Sequence, residues 1–332
     1  MSLLNRLHPS HVEGRLPGFD GATGWLNSEP LTPDGLRGKV VLVDFWTYTC
    51  INWLRTLGYV RAWAEKYTGR GLVVVGVHTP EFPFERDVDN VRWAVQADGI
   101  EYPVALDSRY GVWQAFSNHY WPAVYIADAE GRIRHHHFGE GGYEECERVV
   151  QQLLREAGRD DVGDDLVSVA DDGFQAQADY ANLRSPESYL GYEQAQNFAS
   201  PGTPALDESH EYDVPRDLRL NQWALGGRWA IERKASVLKG EEGRLAFRFH
   251  ARDVNLVLGP PARGMMSVPF RVTVDGEPPG DAHGFDTDEA GDGTVDRQRL
   301  YQLVREPGEI RERTFEIAFL APGAEAYCFT FG

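Results

Sequence analysis

Cysteine is scarce in this 332-residue chain: Cys50, Cys146 and Cys328 are odd in number and far apart. That excludes the disulfide framework of a small secreted scaffold and leaves open a single reactive thiol. No apolar run approaches the ~20 residues that span a bilayer, so no membrane span is expected. The opening stretch from Met1 to Pro17 has no apolar core of export-signal length; the chain reads as cytoplasmic, or as periplasmic if a leader has been removed. Bases are outnumbered by acids, 33 to 51, for a formal charge of −18. Such a balance repels phosphate backbones, so nucleic acid is excluded as a partner. Phosphate loop, dinucleotide fingerprint, Ser-His-Asp signature, internal repeat and low-complexity tract are all missing, and no cofactor is expected.

What is present describes an ordinary globular chain, 42% hydrophobic and 25% charged, long enough for two cores. Its grammar changes twice. In residues 1–158 apolar β-type runs (Val40 to Phe45, Leu72 to His78, Ala123 to Ala127) alternate with helix-period segments (Ile51 to Tyr67, Val88 to Asp98), which implies an α/β domain. Residues 159–204 are polar and weakly periodic, a connector with one packed aromatic segment from Tyr189 to Tyr192. Residues 205–332 alternate with period two, as in Leu245, Phe247 and Phe249, then Val254, Leu256 and Leu258, then Phe270, Val272 and Val274, then Phe315, Ile317 and Phe319. Turns at Asp275-Gly276 and Pro322-Gly323 separate or follow them, so an all-β sandwich of jelly-roll type is expected.

The chemistry concentrates in Gly38 to Arg55, GKVVLVDFWTYTCINWLR. An uninterrupted apolar run fits a strand buried on both faces, and Cys50 follows where an amphipathic helix through Leu54, Leu57, Val60, Arg61 and Ala64 takes over. A cysteine at a helix N-terminus meets orphan N–H groups and the positive end of the helix dipole, which favour the thiolate over a thiol of ordinary pKa ~8.5. Position alone leaves a nucleophile and a buried core cysteine both open.

Asp44-Phe45-Trp46, with Cys50 six residues after the aspartate, resembles the strand-to-active-site segment of thioredoxins. Trp121-Pro122, ahead of AVYIADAEGRI, resembles their cis-proline loop. The resemblance implies a buried proton acceptor at Asp44 and a groove for substrate backbone at Pro122. Residues 80 to 120 are similar to the insertion in TlpA-like thioredoxins and peroxiredoxins. WTYTCINW, GVHTPEFPFE, YWPAVYIADAEGRI, FGEGGY, SPESYLGYEQAQNF and AYCFTFG together resemble the soluble portion of DipZ-type proteins, which joins a thioredoxin-like domain to a sandwich likened to carbohydrate-binding modules. That likeness covers nearly the whole chain.

One departure is chemical. The family carries Cys-x-x-Cys, where the second thiol attacks the mixed disulfide and releases product; here Trp53 stands in its position. Monothiol chemistry remains: a mixed disulfide with a partner or small thiol, or a sulfenic acid resolved from outside. The missing thiol also weakens the role implied for Asp44. Cys146 repeats with Val149, Val150, Leu153 and Leu154 on one helix stripe and reads as core, as does Cys328 in the last strand.

If the strands VVLVDF and LVVVGVH are parallel neighbours, their carboxyl ends open on one edge, which brings His78 and Glu81 near Cys50. His78 would lower the thiol pKa or shuttle a proton, against the plainer reading of a strand-end histidine bonded to backbone. Tyr143 lines the same groove. His135 to His137 alternate faces in a strand and complete no ligand set, so no metal is expected. The acidic loop from Asp286 to Asp296 breaks the calcium-loop pattern at Ala290 and Arg297. Trp223, Trp229, Tyr301 and Tyr327 are candidates for a glycan-stacking platform on the β-domain, against a core role.

The expected function is a thiol-disulfide oxidoreductase with Cys50 as its one redox-active cysteine, Asp44, Trp46, Trp53, His78, Glu81, Trp121, Pro122 and Tyr143 in support, and a thiol- or disulfide-containing protein or small thiol as partner. Two alternatives stand beside it. One is a peroxiredoxin-like peroxidase, suggested by Thr47 three residues before Cys50 and opposed by Val43 where that family has proline. The other is a non-catalytic binding module with Trp53 as an apolar contact.

Overall fold

The computed structural model describes residues 12–170, 173–261 and 267–332. The first eleven residues, read above for an export signal, lie outside the described residues. The chain divides into two compact units at residues 171/172, each described by itself. No helix among the described residues is long and apolar enough to cross a membrane.

The first unit is a seven-stranded sheet flanked by helices. In chain order its elements are β1 (Gly14–Arg15), β2 (Gly24–Leu26), β3 (Val40–Trp46), α1 (Ile51–Tyr67), β4 (Leu72–His78), α2 (Val88–Ala97), β5 (Val104–Leu106), α3 (Gly111–Ala115), β6 (Ala123–Ala127), β7 (Arg132–Phe138) and α4 (Tyr143–Glu156). The sheet order is β1-β7-β6-β3-β4-β5-β2, with β3, β4 and β5 parallel and β6 and β7 antiparallel to their neighbours. This is the thioredoxin-like fold.

The central position of β3 explains its unbroken apolar sequence, since all seven of its residues are buried. Period-two alternation splits them. Val41, Val43 and Phe45 join Val75, Val77, Val112, Phe116 and Tyr125 in the core on one face; Leu42, Asp44 and Trp46 face the other way, toward α1. At ~1.5–3 kcal/mol for each fully buried large apolar side chain, β3 and β4 anchor the unit.

On the α1 side, the helix turns a stripe through Trp53, Thr56, Leu57, Val60, Trp63 and Tyr67 inward. The predicted stripe through Leu54 and Arg61 is rotated from this; Leu54 is half-buried and Arg61 exposed. Buried Glu147 of α4 ties the layer together: it accepts from Trp63 Nε1 (3.2 Å), Lys66 Nζ (3.1 Å) and Tyr67 Oη (2.6 Å). It also accepts from the backbone N–H of Val167 (2.9 Å), which fastens the start of the expected connector onto the helices.

The second unit is one ten-stranded antiparallel sheet curled on itself into a sandwich-like β-domain. Its strands are β8 (Ser188–Tyr189), β9 (Ser209–Tyr212), β10 (Trp223–Ile231), β11 (Ser236–Phe249), β12 (Asp253–Gly259), β13 (Val268–Val274), β14 (Asp292–Val295), β15 (Arg299–Arg305), β16 (Arg313–Phe319) and β17 (Glu325–Phe331). The main order is β14-β13-β16-β11-β17-β12-β15, with β10 on β11, β9 on β10 and β8 on β17. Fourteen-residue β11 allows the curl, because its Gly243–Phe249 half pairs with β16 and its Ser236–Val237 end with β17. The alternating residues predicted from sequence (Leu245, Phe247, Phe249, Val254, Leu256, Leu258, Phe270, Val272, Val274, Phe315, Ile317, Phe319) all enter this core. β8 lies inside the segment expected as a connector, so that stretch contributes an edge strand.

Candidate active site

β3 ends at Trp46, and the chain turns through Thr47, Tyr48 and Thr49 before α1 begins at Ile51. Cys50 is the N-cap residue, extended at φ −82° and ψ 111°, and its side chain does not cap the helix. Its N–H donates to the Thr47 carbonyl (3.2 Å), which closes the turn. The thiol is half-buried at the mouth of the first helical turn, where main-chain N–H groups lack intrahelical acceptors. Strand register supplies the opposite wall. Phe45 of β3 pairs with Ala123 of β6, so the residues just before Ala123 face the end of β3. They are Trp121 and Pro122, joined by a cis peptide bond. The Cys50 thiol donates to the Trp121 carbonyl at 3.8 Å, and the Trp121 ring packs on Trp113 with centroids 4.4 Å apart.

Beneath the thiol lies a buried, largely aromatic layer. Trp53, at the position of the family's second cysteine, is wholly buried. Its indole N–H donates to Asp44 Oδ2 at 3.0 Å, and its ring stacks on Trp46 at 4.3 Å and 20°. Trp53 therefore exposes no surface to a partner, which corrects the expected apolar contact. Burial pushes the Asp44 carboxyl up to about 7 despite the Trp53 bond, which pulls the other way. Its second oxygen, Oδ1, is buried with no hydrogen-bond partner.

Gly76 sits opposite Asp44 in β4. A Cβ there would come within 2.9 Å of Trp46 Nε1 and 3.0 Å of the Tyr102 ring, so the close approach requires glycine. His78, opposite Trp46, is buried with its ring edge-on to Trp46 (4.8 Å) and stacked on Tyr48 (5.8 Å). Burial drives its pKa down to about 3, against a backbone hydrogen bond that acts in the other direction. Buried and driven toward the neutral form, the ring brings no positive charge to Cys50, which speaks against the expected pKa-lowering role.

The acidic residue that reaches the Cys50 turn is one the sequence reading passed over. Glu85, wholly buried, accepts from Thr49 Oγ1 at 2.7 Å. Its other oxygen accepts the N–H groups of Glu81 (2.6 Å) and Phe82 (2.8 Å). Burial raises its pKa while these bonds oppose the rise. Half-buried Glu81 thus gives Glu85 its backbone N–H. The signal available in the sequence was a second glutamate in TPEFPFE beside a threonine next to Cys50. Tyr143 opens α4 and stacks on Tyr59 at 3.7 Å, with its hydroxyl 3.3 Å from Thr56 Oγ1 of α1. In the same region Arg55 of α1 pairs with Glu140 at 3.0 Å, both nearly buried.

The remaining candidates sort into structure. Cys146 is buried, its sulfur 3.7 Å from His135 Nε2, and burial pushes its thiol up to about 12. Cys328 is buried in β17. The three histidines part company: His135 meets Cys146, His136 meets Glu13 at 2.6 Å, and His137 meets the Glu140 carbonyl at 3.3 Å. No metal-ligand cluster exists among the described residues. Trp223, Trp229 and Tyr301 are completely buried and Tyr327 is 7% exposed. They cannot stack on a sugar, and the glycan platform is withdrawn.

Comparison with known proteins agrees with this geometry. Residues 15–136 match the AhpC/TSA family, and residues 185–332 match a domain described as thioredoxin like C-terminal domain. Protein DipZ of Mycobacterium bovis is 41% identical over 250 residues, covering 74% of this chain and 35% of DipZ. The chain thus spans about a third of the length of the DipZ relatives it matches. Thiol-disulfide oxidoreductase YkuV of Bacillus subtilis is 30% identical over 141 residues, which cover 42% of this chain and 95% of YkuV. A solution structure of a thioredoxin-like protein in the oxidized form is 31% identical and covers 43% of this chain and 96% of that one, with a TM-score of 0.40. With YkuV matched over nearly its whole length, and with a cysteine at the head of α1 facing a cis-proline, the chain belongs to the thioredoxin-like, redoxin-type family that includes thiol-disulfide oxidoreductases.

Proposed function

We propose that this chain performs thiol-disulfide exchange through Cys50 alone. The Cys50 thiolate attacks one sulfur of a partner disulfide; a Cys50–partner disulfide forms, the partner's S–S bond breaks, and its other sulfur leaves as a thiolate. A second thiolate, from a protein or small thiol, then attacks the mixed disulfide and releases Cys50 as thiolate, so the external thiol carries the reducing electrons.

The observation that supports this most is the paired geometry of Cys50 and Trp53. Cys50 is half-buried, at a helix N-terminus, against the Trp121 carbonyl that precedes the cis-proline. The neighbouring position where a resolving thiol would stand is filled by an indole bonded to Asp44 and stacked on Trp46. Cys146, buried and with its thiol pushed up to about 12, is a poor substitute. The domain boundaries 1–158, 159–204 and 205–332 remain part of this reading, with the β-domain in a supporting role.

The test is trapping. Full-length chain incubated with a disulfide-bonded peptide and no added thiol is expected to accumulate a stable Cys50–peptide adduct by intact mass, and Cys50→Ser to form none. An adduct that releases itself without external thiol would contradict the single-cysteine mechanism.

A further inference from the structure

The Cys50 thiol donates to the Trp121 carbonyl. Its backbone, however, belongs to a four-residue turn between the end of β3 and the start of α1. Such a turn holds a side chain to sub-ångström accuracy only when something outside it fixes its direction. Within the turn, one bond does so from a distant part of the chain: Thr49 Oγ1 donates to Glu85 Oε1 at 2.7 Å, across 36 residues, with both groups buried.

Glu85 is itself immobilised. It sits in a short 3-10 turn, Pro83–Arg86, that opens on a proline, and its second oxygen is held by the N–H groups of Glu81 and Phe82. The loop that carries it is pinned again at its root. Thr79 Oγ1 donates to Asp107 Oδ2 at 3.1 Å, and Asp107 also accepts the N–H groups of Val112 (2.9 Å) and Trp113 (2.8 Å). Asn90 Nδ2 donates to the Phe84 carbonyl at 2.9 Å from α2. The loop is therefore a rigid bracket, and it meets the cysteine turn through the Thr49–Glu85 hydrogen bond and through Phe84 packed on Tyr48 (centroids 6.2 Å).

We propose that Glu85 and Thr49 form the positioning pair of the Cys50 thiol, the bracket setting where the sulfur stands between the α1 N-terminus and the Trp121 carbonyl. The inference rests on the reading of Cys50 as the nucleophile. It assigns Glu85 a role through Thr49, without contact to a substrate. A carboxylate suits the task, because it alone accepts on both oxygens: two loop N–H groups on one side and a hydroxyl on the other. Glutamine would present a donor to one of those sets.

The test separates position from stability. The probe is the aromatic disulfide 5,5′-dithiobis(2-nitrobenzoate): attack by the Cys50 thiolate forms a mixed disulfide and releases one coloured thionitrobenzoate. Thr49→Val is close in shape and removes only the hydroxyl. Its Cys50 rate is expected to fall roughly tenfold, inside the ~100-fold that a 1 Å misplacement can cost. Thr49→Ser, which keeps the hydroxyl, is expected to restore the wild-type rate. Tyr67→Phe removes a buried hydroxyl from the far end of α1, where it bonds Glu147, and serves as control: reduced thermal stability with an unchanged Cys50 rate.

Where Thr49→Val does not fold, Thr49→Ala carries the same expectation. Wild-type rate in the valine or alanine variant, equal slowing in Tyr67→Phe, or failure of serine to restore the rate each overturns the proposal. Failure of the underlying reading looks different: wild-type Cys50 itself would then react no faster than an ordinary thiol.

Discussion

Replacing Asp44 by Asn should stabilise the protein, and the gain should depend on pH in a way worked out from the structure. Asp44 is wholly buried, and burial lifts its carboxyl from an ordinary value near 3.8 to about 7. The folded state then binds this proton more tightly than the unfolded state does. Between those two values the unfolded chain has lost the proton while the folded chain holds it, so stability falls as pH rises from about 4 to about 7 and is flat above. At ~1.4 kcal/mol for each pH unit between the two values, the full cost is about 4 kcal/mol in alkaline solution and about 2 kcal/mol at ~pH 5.

Asparagine has no proton to lose and keeps an oxygen for the Trp53 indole. The assay is urea denaturation of the full chain, wild type and Asp44→Asn, followed by tryptophan fluorescence at several pH values. The difference between the two proteins cancels the titration of every other carboxylate. The gain from the substitution should grow by roughly 2–3 kcal/mol between ~pH 5 and ~pH 8.5. A difference that does not change with pH would refute the argument that burial governs this carboxyl.

The remaining predictions concern packing and reactivity. Gly76→Ala sets a methyl 2.9 Å from Trp46 Nε1 and 3.0 Å from the Tyr102 ring, and should cost about 1–3 kcal/mol by overpacking; unchanged urea stability would show that this layer has slack. Glu147→Ala strips the acceptor from Trp63, Lys66, Tyr67 and Val167. It should cost about 3–5 kcal/mol and open the chain near Asp161 to Asp165 to limited proteolysis, and equal resistance in the variant would contradict the fastening role. Brief alkylation of the native protein at ~pH 8, mapped by peptide mass, should label Cys50 and spare Cys146 and Cys328; equal labelling of Cys146 would contradict its burial.

The fold was legible wherever local pattern and burial coincide. VVLVDFW announces a strand buried on both faces, and the alternating runs from Leu245 onward announce the β-core. Asp44, Cys50 and Trp121-Pro122 could be matched because their spacing within local segments is itself the signature. What escaped depended on contacts across the sheet. Trp53 reads equally well as surface or core until the register of β3 and α1 puts Asp44 beneath it. His78 sits at the expected strand end, but its sandwiching by Trp46 and Tyr48, and hence its neutrality, follows from aromatic packing that spacing does not encode. Strand-end geometry points to Glu81, which is nearer the strand end in sequence. A 3-10 turn brings Glu85 back to Thr49, and loop closure of that kind has no periodic signal. Trp223, Trp229 and Tyr301 are aromatic in a β-domain for the commoner reason, volume in the core.

The most direct test of the account is the pH dependence of Cys50 alkylation in the full chain, with Cys146→Ser and Cys328→Ser removing any background. A working monothiol nucleophile at the α1 N-terminus predicts fast labelling with an apparent pKa well below ~8.5. Slow labelling with an ordinary or raised pKa would contradict it and leave a thioredoxin-like fold used for binding.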